Sequence, residues 1–366
     1  MRLKKYILVF LYSLLLPLHI INVVTVGGNV KLFFIPVAFL SLYNVLHIRT
    51  YLRNKLLLYL IIIGGLAFIP VVIFQSPIRS LLVFFAIILS LTGLPFIEKK
   101  PIYLITTPLF IVANIISYRY SDWIGLPYRF QGLYNDPNYM VISQIVGMYI
   151  SIKAIVSYKN IIVRIVSVVS ILLSLYIIML TQSRGGILAL CLFLLVYIPN
   201  FIWQNKRLSL LILLLLVCGG FFSYNHFKDP IDRIWGRFFG DNDSDITAAT
   251  SRLDQMKMAI QGIEAEPFYL IIGAGIGSSG GEDSMYEDEH RIHNTLMSML
   301  YENGIFALIL FLLAFYKNAI TLFKRDMLSF ALVLALFLNA QTIWTLTYLP
   351  FWLGFIIPID IDISSK

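Results

Sequence analysis

The sequence predicts an all-α polytopic membrane protein, and three observations carry that prediction. Of the 366 residues, 59% are hydrophobic and only 13% charged, whereas soluble domains carry about a quarter charged residues. The mean hydropathy is +0.82. Apolar runs of span length follow one another along the chain, and a single long polar interval, residues 225–292, separates them. At roughly 20 apolar residues per helical span, the length accommodates about 12 transmembrane helices, with little left for a separate soluble domain.

MRLKKYILVFLYSLLLPLHI begins like a signal peptide but has no A-x-A cleavage site and is followed by many further apolar runs, so 6–26 reads as an uncleaved first helix. Runs at 30–46, 56–75, 78–97, 101–117, 138–157, 161–181, 185–203 and 207–224 complete a bundle of nine spans over residues 1–224. Residues 225–292 form a large outer loop, and 294–316, 327–342 and 345–359 form the C-terminal spans within residues 293–366. The last pair reads either as two short helices or as one broken segment, which would make eleven spans. An unstructured loop as long as 225–292 is uncommon, so short helices are expected inside it. Ser251–Glu266 is the best candidate: Ser251 and Asp254 read as a capping box, Leu253, Met256, Ile260 and Ile263 recur at helical spacing, and Pro267 ends the run. Such a helix lies in the membrane interface or packs on the bundle.

Charge sets the orientation. With the N-terminus on the cytoplasmic side, the inner connections hold 17 of the 28 Lys and Arg, while the short outer ones hold only Lys31, Arg79, Arg119, Arg129 and Arg184. The positive-inside rule then puts 225–292 outside the cytoplasm. The net charge of +8 invites a nucleic-acid reading, but its distribution argues against one. Thirteen of the 20 acidic residues fall in 225–292, and no basic patch is interleaved with aromatics. Cys191 and Cys218 sit in apolar runs without C-x-x-C or metal spacing and read as two buried thiols.

The polar residues near the outer ends of the spans are the candidates for chemistry. Arg184, in TQSRGG, either snorkels at a helix end or meets a ligand, since Gly185-Gly186 allows close approach. Arg252 opens the expected loop helix, where the macrodipole disfavours a cation; it is a surface residue or, beside the helix amides, half of an anion site. His293 and Asn294 open the tenth span as capping residues or as functional ones. His290 and His293, three apart, match no strong metal pattern, so no metal is expected. GAGIGSSGG at 273–281 looks like a nucleotide fingerprint but lacks the βαβ context that reading requires. Glu302, inside the tenth span, must be paired, protonated or wet, and either lines a polar pocket or braces His293. In RFQGLYNDPN, Arg129, Gly132, Asn135 and Asn138 make a turn or a second basic contact for an anion. The acidic run EDSMYEDEH reads as a solvated loop. With no P-loop, nucleotide fold or paired carboxylates, any reaction here must draw on an already activated substrate.

Four segments in order, RFQGLYNDPN, TQSRGGILAL, SRLDQMKMAIQGIEAEPFYLIIGAGIG and HNTLMSMLYENGIFALILFLLAF, give the chain its resemblance to the O-antigen polymerase and ligase superfamily of bacterial membrane glycosyltransferases. The resemblance covers residues 129 to the C-terminus. It implies an undecaprenyl-pyrophosphate-linked oligosaccharide as donor, membrane lipids around it and a chain-length regulator as a candidate partner, with no nucleic acid, cofactor, nucleotide or metal. By resemblance, Arg184 and Arg252 would stabilise the leaving pyrophosphate and His293 would activate or orient the acceptor hydroxyl. Arg129 and Arg291 would touch the same anionic group, with Asn294 and Glu302 beside the substrate. The implied location is the bacterial inner membrane with the large loop periplasmic. A polymerase joining repeat units is the expected activity. The alternatives are a ligase that transfers glycan to lipid A–core, and a lipid-linked glycan transporter, which disagrees with the outer-face position of the polar groups.

Overall fold

The computed structural model describes residues 2–21, 25–26, 30–52, 54–74, 76, 78–121, 129–134, 136–204, 232, 243–279 and 292–359. Helix α1 (Arg2–Ile20) is followed by a minimal antiparallel ladder of β1 (Thr25–Val26) and β2 (Val30–Lys31), which the apolar pattern did not announce. Then come α2 (Phe34–Leu46), the single turn α3 (Ile48–Tyr51), α4 (Lys55–Phe74) and α5 (Ile78–Leu91), which leads into a 3-10 turn at Leu94–Phe96. Helices α6 (Lys100–Tyr120), α7 (Pro137–Ser157), α8 (Ile161–Thr181) and α9 (Arg184–Gln204) follow. The long polar interval contributes α10 (Asp243–Ala265) and α11 (Phe268–Ile272), and the chain returns through α12 (Thr295–Arg325), α13 (Met327–Ala340) and α14 (Leu349–Ile356). Among the described residues six helices are long and apolar enough to cross a membrane: α4, α5 with its 3-10 extension, α6, α7, α8 and α12. Helices α2, α9 and α13 are shorter apolar helices. The run at 207–224 lies outside the described residues.

Helix α7 is the centre of the bundle, with 72% of its apolar window buried, and it packs against α1, α6, α8, α9, α13 and α14. Helix α8 is the opposite case at 28%. Its outward face carries Ile161, Ile165, Val168, Val169 and Leu172, while Ser167, Ser170 and Ser174 are fully buried. This is the arrangement a lipid-facing helix requires, because lipid solvates the apolar face and small residues let backbones approach closely. Ser151 on α7 donates to Ser170 at 2.8 Å across that contact.

The element ends group as alternate traversals require. Lys5 pairs with Glu98 at 3.0 Å and Lys153 with Asp326 at 2.5 Å, while Lys99 donates to the Ile359 carbonyl and Lys317 to the Tyr59 hydroxyl, both at 2.5 Å. All eight residues are at ends expected on one side. On the other side, Phe74 meets Tyr269 at 5.0 Å and Tyr118 meets Phe130 at 5.7 Å between ring centroids.

Two expectations need correction, and one left open is decided. The loop helix begins at Asp243, not Ser251, so Ser251 and Arg252 lie within it and the Ser251–Asp254 capping box does not form its start. Asp243 and Asp245 suit the positive end of the helix, and Ala248-Ala249 carries it forward on high propensity. The helix does stop before Pro267. Cys191 is exposed on the outside of the bundle rather than buried, and Cys218 lies outside the described residues. The last pair of spans proves to be two short helices, joined by the irregular stretch 341–348, whose Ile343, Trp344, Thr345, Leu346 and Tyr348 are buried.

Candidate functional site

The site begins at the α8–α9 turn. Helix α8 ends on Gln182 in the left-handed region, φ 48°. Ser183 then caps α9: its hydroxyl accepts the Gly186 N–H at 3.0 Å and its carbonyl accepts the Ile187 N–H at 2.8 Å. Arg184 is therefore the first helical residue, half-buried at that end. The segment after Arg129 lies along the same turn. The Phe130 N–H donates to the Leu180 carbonyl at 3.0 Å, and Arg129 Nε donates to the Thr181 carbonyl at 3.2 Å. The Ser183 hydroxyl also donates to Asn138 Oδ1, at the start of α7, where Asp136 caps the Asn138 N–H. Arg129 and Arg184, 55 positions apart in the chain, thus meet at one turn.

A bridge leads from there to His293. A methyl group on Gly185 would stand 2.7 Å from Thr342 Cγ2, and one on Gly186 2.6 Å from Val141 Cγ2, so the paired glycines admit these side chains against the start of α9. Beside Thr342, the Gln341 carbonyl accepts from Asn294 Nδ2 at 3.3 Å. The Thr295 hydroxyl donates to the Ile343 carbonyl at 2.7 Å. Asn294 is the N-cap of α12, accepting the Met297 N–H at 3.0 Å, so its polar atoms are already engaged by the fold. His293, half-buried, donates its backbone N–H to Gln255 Oε1 at 3.2 Å. Gln255 belongs to α10, the helix that also contains Arg252.

Three helix N-termini, those of α7, α9 and α12, therefore converge on one patch through Asn138–Ser183 and Gly185–Thr342–Gln341–Asn294. Each brings the positive end of its macrodipole, which favours anions, although the Asn138, Gly186 and Met297 amides are capped by Asp136, Ser183 and Asn294. This corrects the expectation for Arg252, which is interior to α10; the helix N-termini belong to Arg184 and His293 instead.

Glu302 is also placed differently from an open substrate contact. It is fully buried, and its carboxylate accepts from the Ser279 hydroxyl and from Trp344 Nε1 at 3.1 Å. GAGIGSSGG proves to be a packing element: its 273–279 stretch lies against α12 and against Ser76, whose hydroxyl donates to the Ala274 carbonyl. Arg291, His290, Asn135 and the acidic run at 282–289 lie outside the described residues.

Sequence reading missed Ser183, Gln255, Gln341, Thr342 and Trp344. The signal for the last three was the density of polar residues in NAQTIWTLT at 339–347, within what otherwise reads as continuous apolar sequence.

Residues 169–312 match the family model described as O-antigen ligase, which supports the O-antigen polymerase and ligase superfamily. That stretch holds Arg184, Arg252, Arg291, His293, Asn294 and Glu302, while Arg129 precedes it. No curated protein matches the chain.

Proposed function

We propose that this membrane protein, whose residues 169–312 carry an O-antigen ligase-type domain, is a surface-glycan polymerase. It joins undecaprenyl-pyrophosphate-linked repeat units at the periplasmic face of the bacterial inner membrane. An acceptor hydroxyl attacks the anomeric carbon of the lipid-linked donor, the new glycosidic bond forms, and the lipid pyrophosphate leaves with the bonding electron pair. The donor is already activated, so neither a nucleotide nor a metal is assigned a role.

The observation that carries this reading is the convergence of three helix N-termini with Arg129 and Arg184 on one side, and His293 across the Gln341–Thr342 bridge on the other. Developing negative charge on the pyrophosphate suits guanidinium groups and the positive ends of helix dipoles placed there in advance. Arg184 and Arg252 take the leaving group, with Arg129 and Arg291 as further contacts to it. His293 receives the proton of the acceptor hydroxyl or orients that hydroxyl, since imidazole titrates near neutrality. Asn294 holds His293 in place by capping α12 and bridging to Gln341.

The test is to replace Arg252 or His293 with Ala in the native host and resolve the surface glycan on a gel. The proposal expects the ladder to collapse at normal protein level; persistence of full-length ladders would overturn it. The matching family is described as a ligase, which supports transfer of glycan to lipid A–core as a second reading. Deleting the gene separates the two. Loss of a polymerase leaves core bearing one repeat unit, whereas loss of a ligase leaves bare core and lipid-linked polymer.

A further inference from the structure

Helix α12 is broken. Gly304 sits at φ 79° and ψ 174°, far from helical geometry, with helix on both sides. A helical carbonyl normally accepts the N–H four residues ahead, so the reversal at Gly304 strands the carbonyls of Tyr301 and Glu302. Unpaired backbone groups are not tolerated at membrane depth. The glycine-rich stretch pairs them: the Ala274 N–H donates to the Tyr301 carbonyl and the Gly275 N–H to the Glu302 carbonyl, each at 2.8 Å. Both sides of this contact must lack a side chain. A methyl group on Gly273 would stand 2.3 Å from the Glu302 carbonyl oxygen, and one on Gly304 2.3 Å from the Ile271 carbonyl oxygen.

The side chain at the break adds a second clamp. One carboxylate oxygen of Glu302 accepts from Ser279, at the far end of the glycine stretch, and the other accepts from the indole N–H of Trp344 at 3.1 Å. The Trp344 carbonyl in turn accepts the Tyr139 hydroxyl of α7 at 2.6 Å. A fully buried carboxylate is a poor choice for static packing, because apolar residues of similar volume serve as well or better. What a carboxylate adds is direction, since its two acceptor oxygens hold two segments at fixed hydrogen-bond distance. One of those segments, 341–348, carries Gln341 and Thr342, which join the start of α9 to Asn294.

We propose that Glu302 and Trp344 are a positioning pair for the glycosyl transfer assigned above, on which this inference rests. Their contact holds the Gln341–Thr342 bridge, and with it the His293 end of α12, in register with Arg184. Neither residue touches the substrate.

The test uses the purified full chain in liposomes with a polyprenyl-pyrophosphate-linked oligosaccharide as donor, measuring kcat and donor KM per folded enzyme. Trp344→Phe keeps the aromatic bulk and deletes the N–H, and Glu302→Ala deletes the acceptor. Each is expected to lower kcat by about tenfold or more with donor KM within about threefold of the parent. The double variant should be no worse than the worse single one, because both remove the same contact. Glu302→Gln keeps an oxygen for the indole and should stay within about threefold of the parent kcat. Wild-type kcat in Trp344→Phe overturns the proposal, as does additive loss in the double variant. A rise in donor KM with kcat unchanged would instead make Glu302 a substrate contact and also overturns it. If Glu302→Ala does not fold, Trp344→Phe and Glu302→Gln carry the test. Arg184→Ala keeps the two readings apart. If that variant turns over normally, the transferase assignment fails; if it is inactive while Trp344→Phe keeps full kcat, only the positioning pair fails.

Discussion

At the scale of single residues, the site is a set of side chains whose partners decide their work. Arg129 and Arg184 are held beside one turn, and the fold directs three helix N-termini to the same patch. Removing a donor aimed at developing charge lowers turnover by roughly 10²–10³-fold, so Arg184→Ala is expected to fall in that range with little change in protein level. Arg184→Lys should recover only part of the loss, because a point charge does not reproduce bidentate phosphate binding. His293→Ala should lower turnover by about 10²–10⁴-fold, the usual worth of a positioned acid or base. Both are measured as donor consumption in liposomes. Asn294 acts one step away: replacing it with Ala deletes the cap of α12, at about 1 kcal/mol, whereas Asn294→Asp keeps the capping oxygen. Thermal unfolding in detergent should show the first lowered and the second near the parent.

At the scale of elements, the broken helix α12 and the irregular stretch 341–348 are the features that make a site out of a bundle. Each is non-helical backbone inside a membrane protein, and in each, backbone carbonyls are met by side chains or loop amides. Gly304 bears the most constraint, since a side chain there meets both an unfavourable φ and the Ile271 carbonyl. Gly304→Val should destabilise the protein by roughly 1–3 kcal/mol from backbone strain alone, and more once the overlap is included. A lowered midpoint of thermal unfolding checks this, and an unchanged midpoint would contradict the capping role assigned to the glycine stretch. This stretch also shows how a motif misleads when read alone. GAGIG has the glycine spacing of a phosphate cradle, yet the amides of Gly273, Ala274 and Gly275 donate to helix carbonyls of the same chain.

At the scale of the whole molecule, the long-range pairs sort the helix ends into two groups, with Lys5–Glu98 and Lys153–Asp326 in one and Phe74–Tyr269 and Tyr118–Phe130 in the other. If the second group is periplasmic, single cysteines introduced at exposed Glu264 or Phe268 in a chain lacking its native cysteines should react with a membrane-impermeant maleimide in intact cells. A cysteine at exposed Lys324 should react only after lysis. The reverse pattern would invert the proposed orientation.

Much of this architecture was legible in the sequence. Eleven of the twelve apolar runs coincide with described helices, because a lipid-exposed segment must be both apolar and long, and that demand is written residue by residue. The candidates Arg129, Arg184 and His293 were also legible, since charged or titratable groups at span ends are few and conspicuous. What periodicity could not supply was the start of α10, the break at Gly304 and the partners of Glu302. Each depends on which distant backbone group stands opposite, and hydropathy carries no information about that. The link between the start of α9, where Arg184 stands, and the start of α12 beside His293 is of the same kind. Residues 109 positions apart are joined through Gln341 and Thr342, two polar residues in an otherwise apolar stretch. The solvent a segment must face is local information and was present in the sequence; the neighbour it must satisfy is not, and only packing decided it.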